Sequence, residues 1–488
     1  GTGNWRQKQL CVLVTLDVKN AFNSLRWPVI DEALRKKGTP EYLVLMIRSW
    51  LSDRELLVGD RREAKAVTCG VPQGSVLGPA LWNVAYDDLL NTEVPPGAHL
   101  IGFADDLAVV GVAKTGELLE ELVNPVLANI DRWMTSRGLE LAHHKTEAVM
   151  LTKKWAYNQP QLTIGGVPIA ISSHIRYLGV ILDTRLSFGK HVETVAKRAA
   201  TSAVALARLM PNINGPCQSK RRLVSSVVES QLLYAAPIWS RAVNASAKAR
   251  GNLRRPQRVA ALRTIRAYRT VSDEAAFLLA GMPPADLLAE ERARIKERVA
   301  LPPPPDGTAP PTKYSIKKAE RKVTISEWNR RWLITRKAPW THRLIPDILR
   351  WEDRTVPKVP WTYHMTQALT GHGCFQHYLH RMGRATSPRC MHCPCGSDTA
   401  EHTLFHCPNW DGLRGDLRNR LGRTPSVADA PDILCGPLFE DLPANHQERD
   451  LALREAEETF RIFYKMVVDI LKLKEEEERV RQAAEVND

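Results

Sequence analysis

The chain has 488 residues, and its 68 Lys and Arg outnumber its 54 Asp and Glu, which gives a formal net charge of +14. Its 44% hydrophobic and 25% charged residues are ordinary for globular proteins and exclude wholesale disorder. No apolar run is as long as a membrane-spanning helix, and the first residues do not resemble a signal peptide, so we expect no membrane insertion and no secretion. The positive charge favours a polyanionic partner without identifying one.

The first part of the chain alternates strand-like and helix-like segments. Short β-branched apolar runs indicate buried strands, and longer stretches with apolar residues at helical spacing indicate helices. The predicted strands are residues 10–18, 99–103, 107–112, 148–151 and 175–182, and the predicted helices are residues 27–37, 76–90 and 118–137. The second and third of these strands are close enough in sequence to form a hairpin.

From about residue 188 the chain is predicted to be helical and basic. Residues 241–269 contain nine Lys and Arg and no acid. A proline-rich stretch at residues 301–312 predicts a semi-rigid linker, and a second basic stretch follows at residues 313–337. A charged amphipathic helix is predicted at residues 448–485.

The two basic segments are candidates for nucleic-acid binding. Their cations can bind phosphates, and Tyr268, Trp328 and Trp332 are candidates for stacking on bases. A solvated helix face is the ordinary interpretation of such charge runs. The absence of acids in residues 241–269 favours nucleic acid, whereas the acidic run at residues 475–478 is expected to lie clear of it.

Three acids are predicted to converge. Asp17 lies at the end of the first predicted strand, and Asp105 and Asp106 lie at the tip of the predicted hairpin. Three carboxylates in one place repel one another unless divalent cations bind between them. Two Mg²⁺ ions so held can stabilise the attacking and leaving oxygens of a phosphoryl displacement. A polar turn is the alternative interpretation of an Asp-Asp pair.

A second candidate metal site lies near the C-terminus. The spacing of its four soft or borderline ligands is typical of tetrahedral Zn²⁺ and involves Cys390, Cys393, His402 and Cys407. Four ligands leave no open position, so we predict one structural ion. Cys395 and His406 lie close enough in sequence to leave the ligand set uncertain by one residue.

Several motifs occur in the order seen in reverse transcriptases. They are LDVKNAFN at residues 16–23, GVPQGSVLGP at 70–79, FADD at 103–106, GLEL at 138–141, KTE at 145–147 and YLG at 177–179. The chain therefore resembles the polymerase of a non-LTR (LINE-type) retrotransposon, with the strongest likeness to the arthropod elements that insert into ribosomal RNA genes. The spacing of the Cys/His cluster resembles the C-terminal zinc knuckle of the same family.

The resemblance implies an α+β fold. It contains a right-hand polymerase palm (an antiparallel sheet with helices), a helical thumb and a mostly helical C-terminal region with a small zinc knuckle. The implied domains are the palm with truncated fingers (1–185), the basic thumb (186–300), the proline-rich linker (301–312), a basic connector (313–385), a CCHC zinc knuckle (386–412) and a helical tail (413–488).

The resemblance also implies roles in catalysis. Asp17, Asp105 and Asp106 would hold two catalytic Mg²⁺ ions, and the carbonyl of Val18 would complete one coordination shell. Lys145 would be the general acid for the pyrophosphate leaving group, and an ordinary surface lysine is an equally good interpretation.

Further residues would bind the nucleotide and the primer. Phe22 would exclude a ribose 2′-hydroxyl, with core packing as the alternative. Gln73 and Gly74 would lie beside the template base and the incoming nucleotide. Residues 177–179 would form the primer-grip hairpin. The adjacent His143 and His144 are interpreted as loop or nucleic-acid contacts.

The implied activity is an RNA-directed DNA polymerase that copies element RNA from a nicked DNA primer. The implied partners are the RNA template, the DNA target and dNTPs, without a membrane, and the oligomeric state stays open. The implied location is the nucleus, with cytoplasmic assembly on element RNA. The family's finger motifs and endonuclease precede the matched region, so we expect a fragment that polymerises poorly or not at all alone. The alternatives are an impaired or domesticated nucleic-acid-binding protein and a maturase-type or telomerase-type polymerase.

Overall fold

A computed structural model describes residues 9–58, 63–303 and 309–485. The chain divides into two compact units, Gly1–His191 and Val192–Asp488. The centre of the predicted proline-rich linker, at residues 304–308, lies outside the described residues. Within the described part of the chain, no helix has the length and apolar character needed to cross a bilayer.

The first unit combines strands and helices. Its strands are β1 (Leu10–Leu16), β2 (Arg54–Val58), β3 (Glu63–Val67), β4 (Ala98–Phe103), β5 (Asp106–Ala113), β6 (Glu147–Leu151), β7 (Thr163–Ile164), β8 (Val167–Pro168), β9 (Ile171–Ser172), β10 (His174–Tyr177) and β11 (Val180–Asp183). Its helices are α1 (Ala21–Ser24), α2 (Trp27–Lys36), α3 (Glu41–Leu51), α4 (Gly78–Leu90) and α5 (Gly116–Ser136). The three predicted helices are confirmed as α2, α4 and α5.

The main sheet has five strands in the order β4-β5-β1-β6-β9. The central strand β1 pairs antiparallel with both β5 and β6, so the predicted hairpin of β4 and β5 lies in the same sheet as β1. The prediction of an antiparallel sheet is wrong at one edge, where β9 pairs parallel with β6. The β7–β8 hairpin lies between these two strands in the chain, and this connection lets β9 run in the direction of β6.

The two faces of the sheet are covered differently. Alternate residues of β1 point to opposite faces, because the side-chain period of a strand is two. Val12 and Val14 pack in the larger core with residues of α2, α4 and α5. Leu13 packs on the other face with Ile175 of β10. Helices therefore cover one face, and the β10–β11 hairpin contacts the other.

Some local predictions were wrong or incomplete. The single strand predicted at residues 175–182 is the hairpin of β10 and β11, which turns at Leu178 and Gly179 with φ of 45° and 79°. The pattern of hydrophobicity indicated one strand, whereas the resemblance implied a hairpin at residues 177–179, and that hairpin is confirmed. Helix α3 and the β2–β3 hairpin were not predicted at all.

The second unit is helical, as predicted. Its helices are α6 (Gly189–Ala207), in which the boundary between the units falls, α7 (Gln218–Leu232), α8 (Ala236–Asn244), α9 (Ala247–Thr264), α10 (Asp273–Ala280), α11 (Ala285–Val299), α12 (Lys313–Ile334), α13 (Pro339–Leu344), α14 (Ile348–Glu352), α15 (Tyr363–Thr370), α16 (Gln376–Arg381), α17 (Gly415–Leu421), α18 (Ala430–Cys435) and α19 (His446–Glu485). The predicted C-terminal helix is confirmed as α19.

The aromatic residues expected to stack on bases pack inside this unit instead. Trp328 and Trp332 on α12 are buried, so the prediction of base stacking is wrong for both. The indole N–H of Trp332 donates to the carbonyl of Ile345 at 2.8 Å. The ring of Tyr268 packs against Tyr363, and the two hydroxyls share a hydrogen bond. The i,i+4 spacing of Trp328 and Trp332 on α12 is typical of a core face, which a count of nearby charges does not reveal.

Many cations of the first basic segment also have protein partners. Arg258 donates to the carbonyl of Val271 at 2.6 Å, and Arg266 donates to the carbonyl of Asn212 at 3.0 Å. Arg254 pairs with Glu274 at 2.8 Å. These side chains stabilise the helical packing, so the run of cations overstates the charge that is available to phosphates.

Candidate active site and metal centre

The three predicted acids converge at one end of the main sheet. Asp17 directly follows β1, Asp106 begins β5, and Leu16 pairs with Leu107. One further step of this antiparallel register sets Asp17 opposite Asp106. Phe103 pairs with Asp106, so Ala104 and Asp105 form the two-residue loop of the hairpin. Ala104 has φ of 54°, which a two-residue hairpin loop requires at its first central position.

The electrostatics of this site match a cluster of like charges. The pKa of Asp106 is raised, first by burial and then by the negative charges of Asp105 and Asp17. Carboxylates that destabilise one another in this way are the hard oxygen ligands that divalent cations prefer. The three acids therefore fit a site for divalent metal ions.

The backbone beside Asp17 is fixed by a short stretch that precedes β6. The Ala142 amide donates to the carbonyl of Asp17 at 2.8 Å, and the Lys19 amide donates to the carbonyl of Glu140 at 2.8 Å. Val18 lies between them in an antiparallel bridge with Leu141. Because successive carbonyls of a strand point to opposite edges, the Val18 carbonyl points away from this stretch, toward the edge where β5 lies.

Lys145 contacts the acid site directly. Its Nζ lies 2.8 Å from Oδ2 of Asp17, and the two side chains keep relative exposures of 60% and 40%. The lysine ends a short turn at His143–Lys145. His143 is occupied within the protein, because its Nε2 lies 2.9 Å from Oδ1 of Asp131 on α5. His143 therefore ties this turn to the helix, while His144 is exposed.

The predicted nucleotide-binding residues lie on two segments that share backbone hydrogen bonds. The Gly70 amide donates to the carbonyl of Leu25, and the Val71 amide donates to the carbonyl of Phe22, each at 2.7 Å. Gln73 and Gly74 follow on an exposed loop. Gly74 has φ of 84°, and no heavy atom lies within 4 Å of the position that a Cβ would occupy. Its backbone conformation therefore favours glycine, and the space beside it leaves room for a ligand.

An aromatic stack behind the acids was missed from the sequence. The Phe22 ring stacks on Trp82 at 5.1 Å between centroids, and Trp82 stacks on Tyr86 at 5.0 Å. The indole N–H of Trp82 donates to the carbonyl of Ala104 at 2.8 Å. The i,i+4 spacing of Trp82 and Tyr86 on α4 was a usable signal for their contact. The contacts of Trp82 with Phe22 and Ala104 are not indicated by any local sequence pattern.

The predicted primer-grip residues lie close to the same acids. Tyr177 ends β10, and Leu178 and Gly179 form the turn of the hairpin. The pKa of the Tyr177 hydroxyl is raised by burial and then by the charge of Asp106. Burial and the charges of Asp105 and Asp106 likewise raise the pKa of Tyr86. The acids, α4 and the β10–β11 hairpin therefore meet in one region of the first unit.

The four predicted soft ligands of the second unit form one cluster. Ligand atoms of Cys390, Cys393, His402 and Cys407 all lie within 4.8 Å of one another. The Sγ atoms of Cys390 and Cys407 are 3.8 Å apart, and Sγ of Cys393 is 3.3 Å from Nε2 of His402. Cys395 points elsewhere, with its Sγ 3.5 Å from the carbonyl of Ser397. This set of three thiols and one imidazole could hold a metal ion.

A buried ion pair that the sequence did not reveal supports this cluster. Asp398 is fully buried, and its Oδ2 lies 2.8 Å from Nζ of Lys474 on α19. The same carboxylate accepts hydrogen bonds from the Thr403 hydroxyl at 2.8 Å and the Gln376 amide at 2.9 Å. The pair fastens the loop between Cys395 and His402 to the C-terminal helix.

Comparison with known proteins gives a family match for most of the first unit. Residues 2–182 match the family described as reverse transcriptase (RNA-dependent DNA polymerase). This part of the chain is similar to reverse transcriptase domains. The matched residues include the acids, Phe22, Trp82 and Lys145.

The longer similarities extend beyond the reverse transcriptase domain. A Pol polyprotein from type-1 retrotransposable element R1 of Bradysia coprophila is 27% identical over 82% of this chain and 40% of the relative. A second R1 polyprotein, from Nasonia vitripennis, is 28% identical over 71% of this chain and 86% of the relative. The predicted resemblance to arthropod non-LTR retrotransposon proteins is confirmed. The chain spans about two fifths of the Bradysia relative. A solved apo telomerase from Candida Tropicalis has 12% identity over 64% of this chain and 52% of its own, at a TM-score of 0.29.

Proposed function

We propose that this chain is the polymerase part of a non-LTR retrotransposon protein, an RNA-directed DNA polymerase that copies element RNA from a primer on nicked target DNA. The observation that carries the proposal is the convergence of Asp17 with the Asp105–Asp106 tip inside a reverse transcriptase domain. RNA template, DNA target and dNTPs are the proposed partners. The nucleus is the proposed site of action, after assembly on element RNA in the cytoplasm.

The proposed catalytic groups have distinct tasks. Asp17, Asp105 and Asp106 would hold two Mg²⁺ ions, with the Val18 carbonyl on the same side. Bound ions supply the positive charge that stabilises the attacking and leaving oxygens. Lys145 keeps Asp17 oriented through its 2.8 Å contact, and its ammonium has protons to donate to a leaving pyrophosphate.

We infer that the Cys/His cluster of the second unit holds one Zn²⁺. Ligands on a tetrahedron with Zn–S bonds of about 2.3 Å lie roughly 3.8 Å apart. The distance of 3.8 Å between Cys390 and Cys407 matches that geometry. With four protein ligands no position is open for a substrate, so the ion would be structural.

Primer extension tests the proposed activity. The 488-residue chain would be given an RNA template, a DNA primer, dNTPs and Mg²⁺, and Asp105→Asn should reduce synthesis by at least about a hundredfold because a metal ligand loses its charge. Asp53→Asn is the matched control, since Asp53 is exposed and has a left-handed backbone that asparagine tolerates.

Two results would count against the proposal. Synthesis by Asp105→Asn at the wild-type rate would remove Asp105 from the catalytic site. A chain that binds oligonucleotides but extends no primer with Mg²⁺ or Mn²⁺, even when it is joined to the finger motifs of a related element, would favour the alternative, a nucleic-acid-binding protein without polymerase activity.

A further inference from the structure

Trp155 is the most exposed tryptophan side chain among the residues that the structure describes. It retains 87% of its accessible surface, in a loop that follows β6. Tryptophan is mostly buried in folded proteins, because its large apolar surface is unfavourable in water. An indole held this far into solvent is a candidate for contact with a ligand.

The loop that carries Trp155 is nevertheless well anchored. Tyr157 packs against the larger core of the first unit. The side-chain amide of Asn158 donates to Glu117 at 2.9 Å, and the Gln161 amide donates to Glu120 at 2.9 Å. Both acids belong to α5. The loop thus has fixed contacts close to Trp155, and the exposure of the indole does not result from a lack of packing nearby.

One cation contacts the indole, and further lysines lie next to it in the loop. The guanidinium of Arg185, which follows β11, lies 4.1 Å from the centroid of the Trp155 ring, a cation–π contact that covers one face. Lys153 and Lys154 directly precede Trp155, and Nζ of Lys154 donates to the carbonyl of Lys114 at 3.1 Å. Within the described ranges, these four cations take part in no ion pair with an acid of the protein.

The acid closest in sequence to Arg185 is already occupied. The carboxylate of Asp183 accepts hydrogen bonds from the amides of Arg185, Ser187 and Phe188 at 3.1, 3.0 and 2.7 Å. It stabilises the turn after β11 and does not neutralise the guanidinium. The local charge is therefore positive, beside an indole with one face open.

We propose that Trp155 and Arg185 form a binding site for an unpaired nucleotide of a single-stranded nucleic acid. The base stacks on the open face of the indole, and Lys114, Lys153 and Lys154 attract the flanking phosphates. Stacking on an aromatic side chain within a basic groove is how proteins bind single strands without reading sequence. A base pair inside a duplex does not expose the face that this contact needs.

This proposal rests on the proposed function, because the site lies beside the β10–β11 hairpin, whose turn is close to the acids. Tyr177, beside the hairpin turn, is near Asp106, whereas Arg185 follows the other end of β11. The four residues of β11 span on the order of 10 Å, and Arg185 follows in a turn. Stacked nucleotides rise about 3.4 Å each. The site would therefore bind a strand roughly three or four nucleotides from the metal site.

The test is binding of a fluorescein-labelled single strand of about twelve nucleotides, oligo(dT) or oligo(U), to the 488-residue chain, followed by fluorescence anisotropy. Trp155→Ala should weaken binding about tenfold. Trp155→Phe should retain most of the affinity, because it keeps an aromatic face. Trp50→Ala is the matched control, since Trp50 is also a surface indole with an arginine, Arg54, 5.0 Å from its centroid, and should bind like the wild type.

A photocrosslink gives a second readout at the site itself. An oligonucleotide with 4-thiothymidine should crosslink to a peptide that contains Trp155, and Arg185→Gln should reduce the yield. The proposal would be overturned if Trp155→Ala bound the single strand with wild-type affinity. It would also be overturned if this substitution weakened binding only to duplex DNA or only to anionic lipid vesicles. Because binding needs no turnover, binding through Trp155 by a chain that extends no primer would leave this site intact, and the primer-extension result would bear on the proposed function alone.

Discussion

The indole N–H of Trp82 donates a hydrogen bond of 2.8 Å to the carbonyl of Ala104, the residue that precedes the two catalytic acids proposed for the hairpin tip. Trp82 also stacks on Phe22, the residue proposed to select the nucleotide sugar. One buried side chain thus contacts both the loop that carries Asp105 and the ring beside the proposed nucleotide site. Trp82 is a positioning residue in this arrangement, because it acts through Ala104 and Phe22.

Trp82→Phe tests this coupling. The variant keeps a ring for the stack but removes the indole donor of the Ala104 carbonyl, and the loss of such a hydrogen bond costs about 0.5–1.5 kcal/mol. We expect kcat for dNTP incorporation to fall about tenfold, with a smaller change in KM, and the preference for dNTPs over rNTPs to weaken. Steady-state primer extension with each nucleotide type measures both effects.

Trp133→Phe is the control for the loss of an indole. Trp133 lies at the far end of the stack, edge-on to Tyr86 at 5.9 Å, and its substitution should leave the dNTP preference unchanged. Equal kinetic effects of the two substitutions would show that Trp82 contributes only general stability.

Asp106→Asn should raise the midpoint of thermal unfolding by about 2 °C at pH 7 in metal-free buffer. Burial and the charges of Asp105 and Asp17 raise the pKa of Asp106 in the folded state above its usual value of 3.8. The ionised group therefore destabilises the fold at pH values above its raised pKa, and this penalty disappears as the pH falls below the unfolded value. Differential scanning fluorimetry at pH 7 and near pH 3.5 measures the difference.

Mg²⁺ should reverse the order of the unfolding midpoints of the wild type and Asp106→Asn. Mg²⁺ should raise the unfolding midpoint of the wild type more than that of Asp106→Asn, because it binds the folded carboxylates. Asp53→Asn, away from the cluster, should respond to Mg²⁺ as the wild type does. A lower midpoint for Asp106→Asn at pH 7 without metal would contradict the repulsion inferred among the acids.

Cys407→Ser should reduce the zinc content of the purified chain from about one ion to a small fraction of one, because a buried thiolate ligand is lost. Cys395→Ser is the control, since the Cys395 thiol lies near the Ser397 carbonyl and outside the ligand cluster. Elemental analysis by mass spectrometry measures the metal. Loss of zinc from Cys395→Ser together with retention in Cys393→Ser would show that Cys395, and not Cys393, is the ligand.

Lys474→Met should destabilise the second unit by about 3–5 kcal/mol, because it leaves the buried carboxylate of Asp398 without its cation. Urea unfolding followed by circular dichroism measures the free energy. Lys472→Met, at an exposed position of the same helix, should change it by less than about 0.5 kcal/mol. Equal stability of the two variants would mean that Asp398 is satisfied without Lys474.

Local sequence patterns were sufficient to predict much of the proposed active site. The strand that ends at Asp17, the hairpin with Asp105 and Asp106, and the helix α4 are segments in which neighbouring residues determine the backbone. The ligands of the Cys/His cluster follow from spacing along the chain in the same way. The roles proposed for these residues rest on the resemblance to reverse transcriptases and await the experiments above.

Local patterns failed where packing decides the role of a side chain. Trp328 and Trp332 lie in a basic sequence, yet helix α12 turns both into the core. Residues 175–182 have the composition of one strand, but Leu178 and Gly179 take the left-handed conformations of a turn. Neither outcome is visible in charge or hydrophobicity, because both depend on what each segment meets in the folded chain.

The sequence by itself determined which chemical groups are present: three acids, four soft ligands and a set of polymerase motifs. Only the tertiary structure decided which distant groups meet them. Trp82 reaches Phe22 and Ala104, Lys145 reaches Asp17, Arg185 covers Trp155, and Lys474 neutralises Asp398. These pairs are far apart in the chain, and contacts of this kind depend on how whole elements pack rather than on the residues between them.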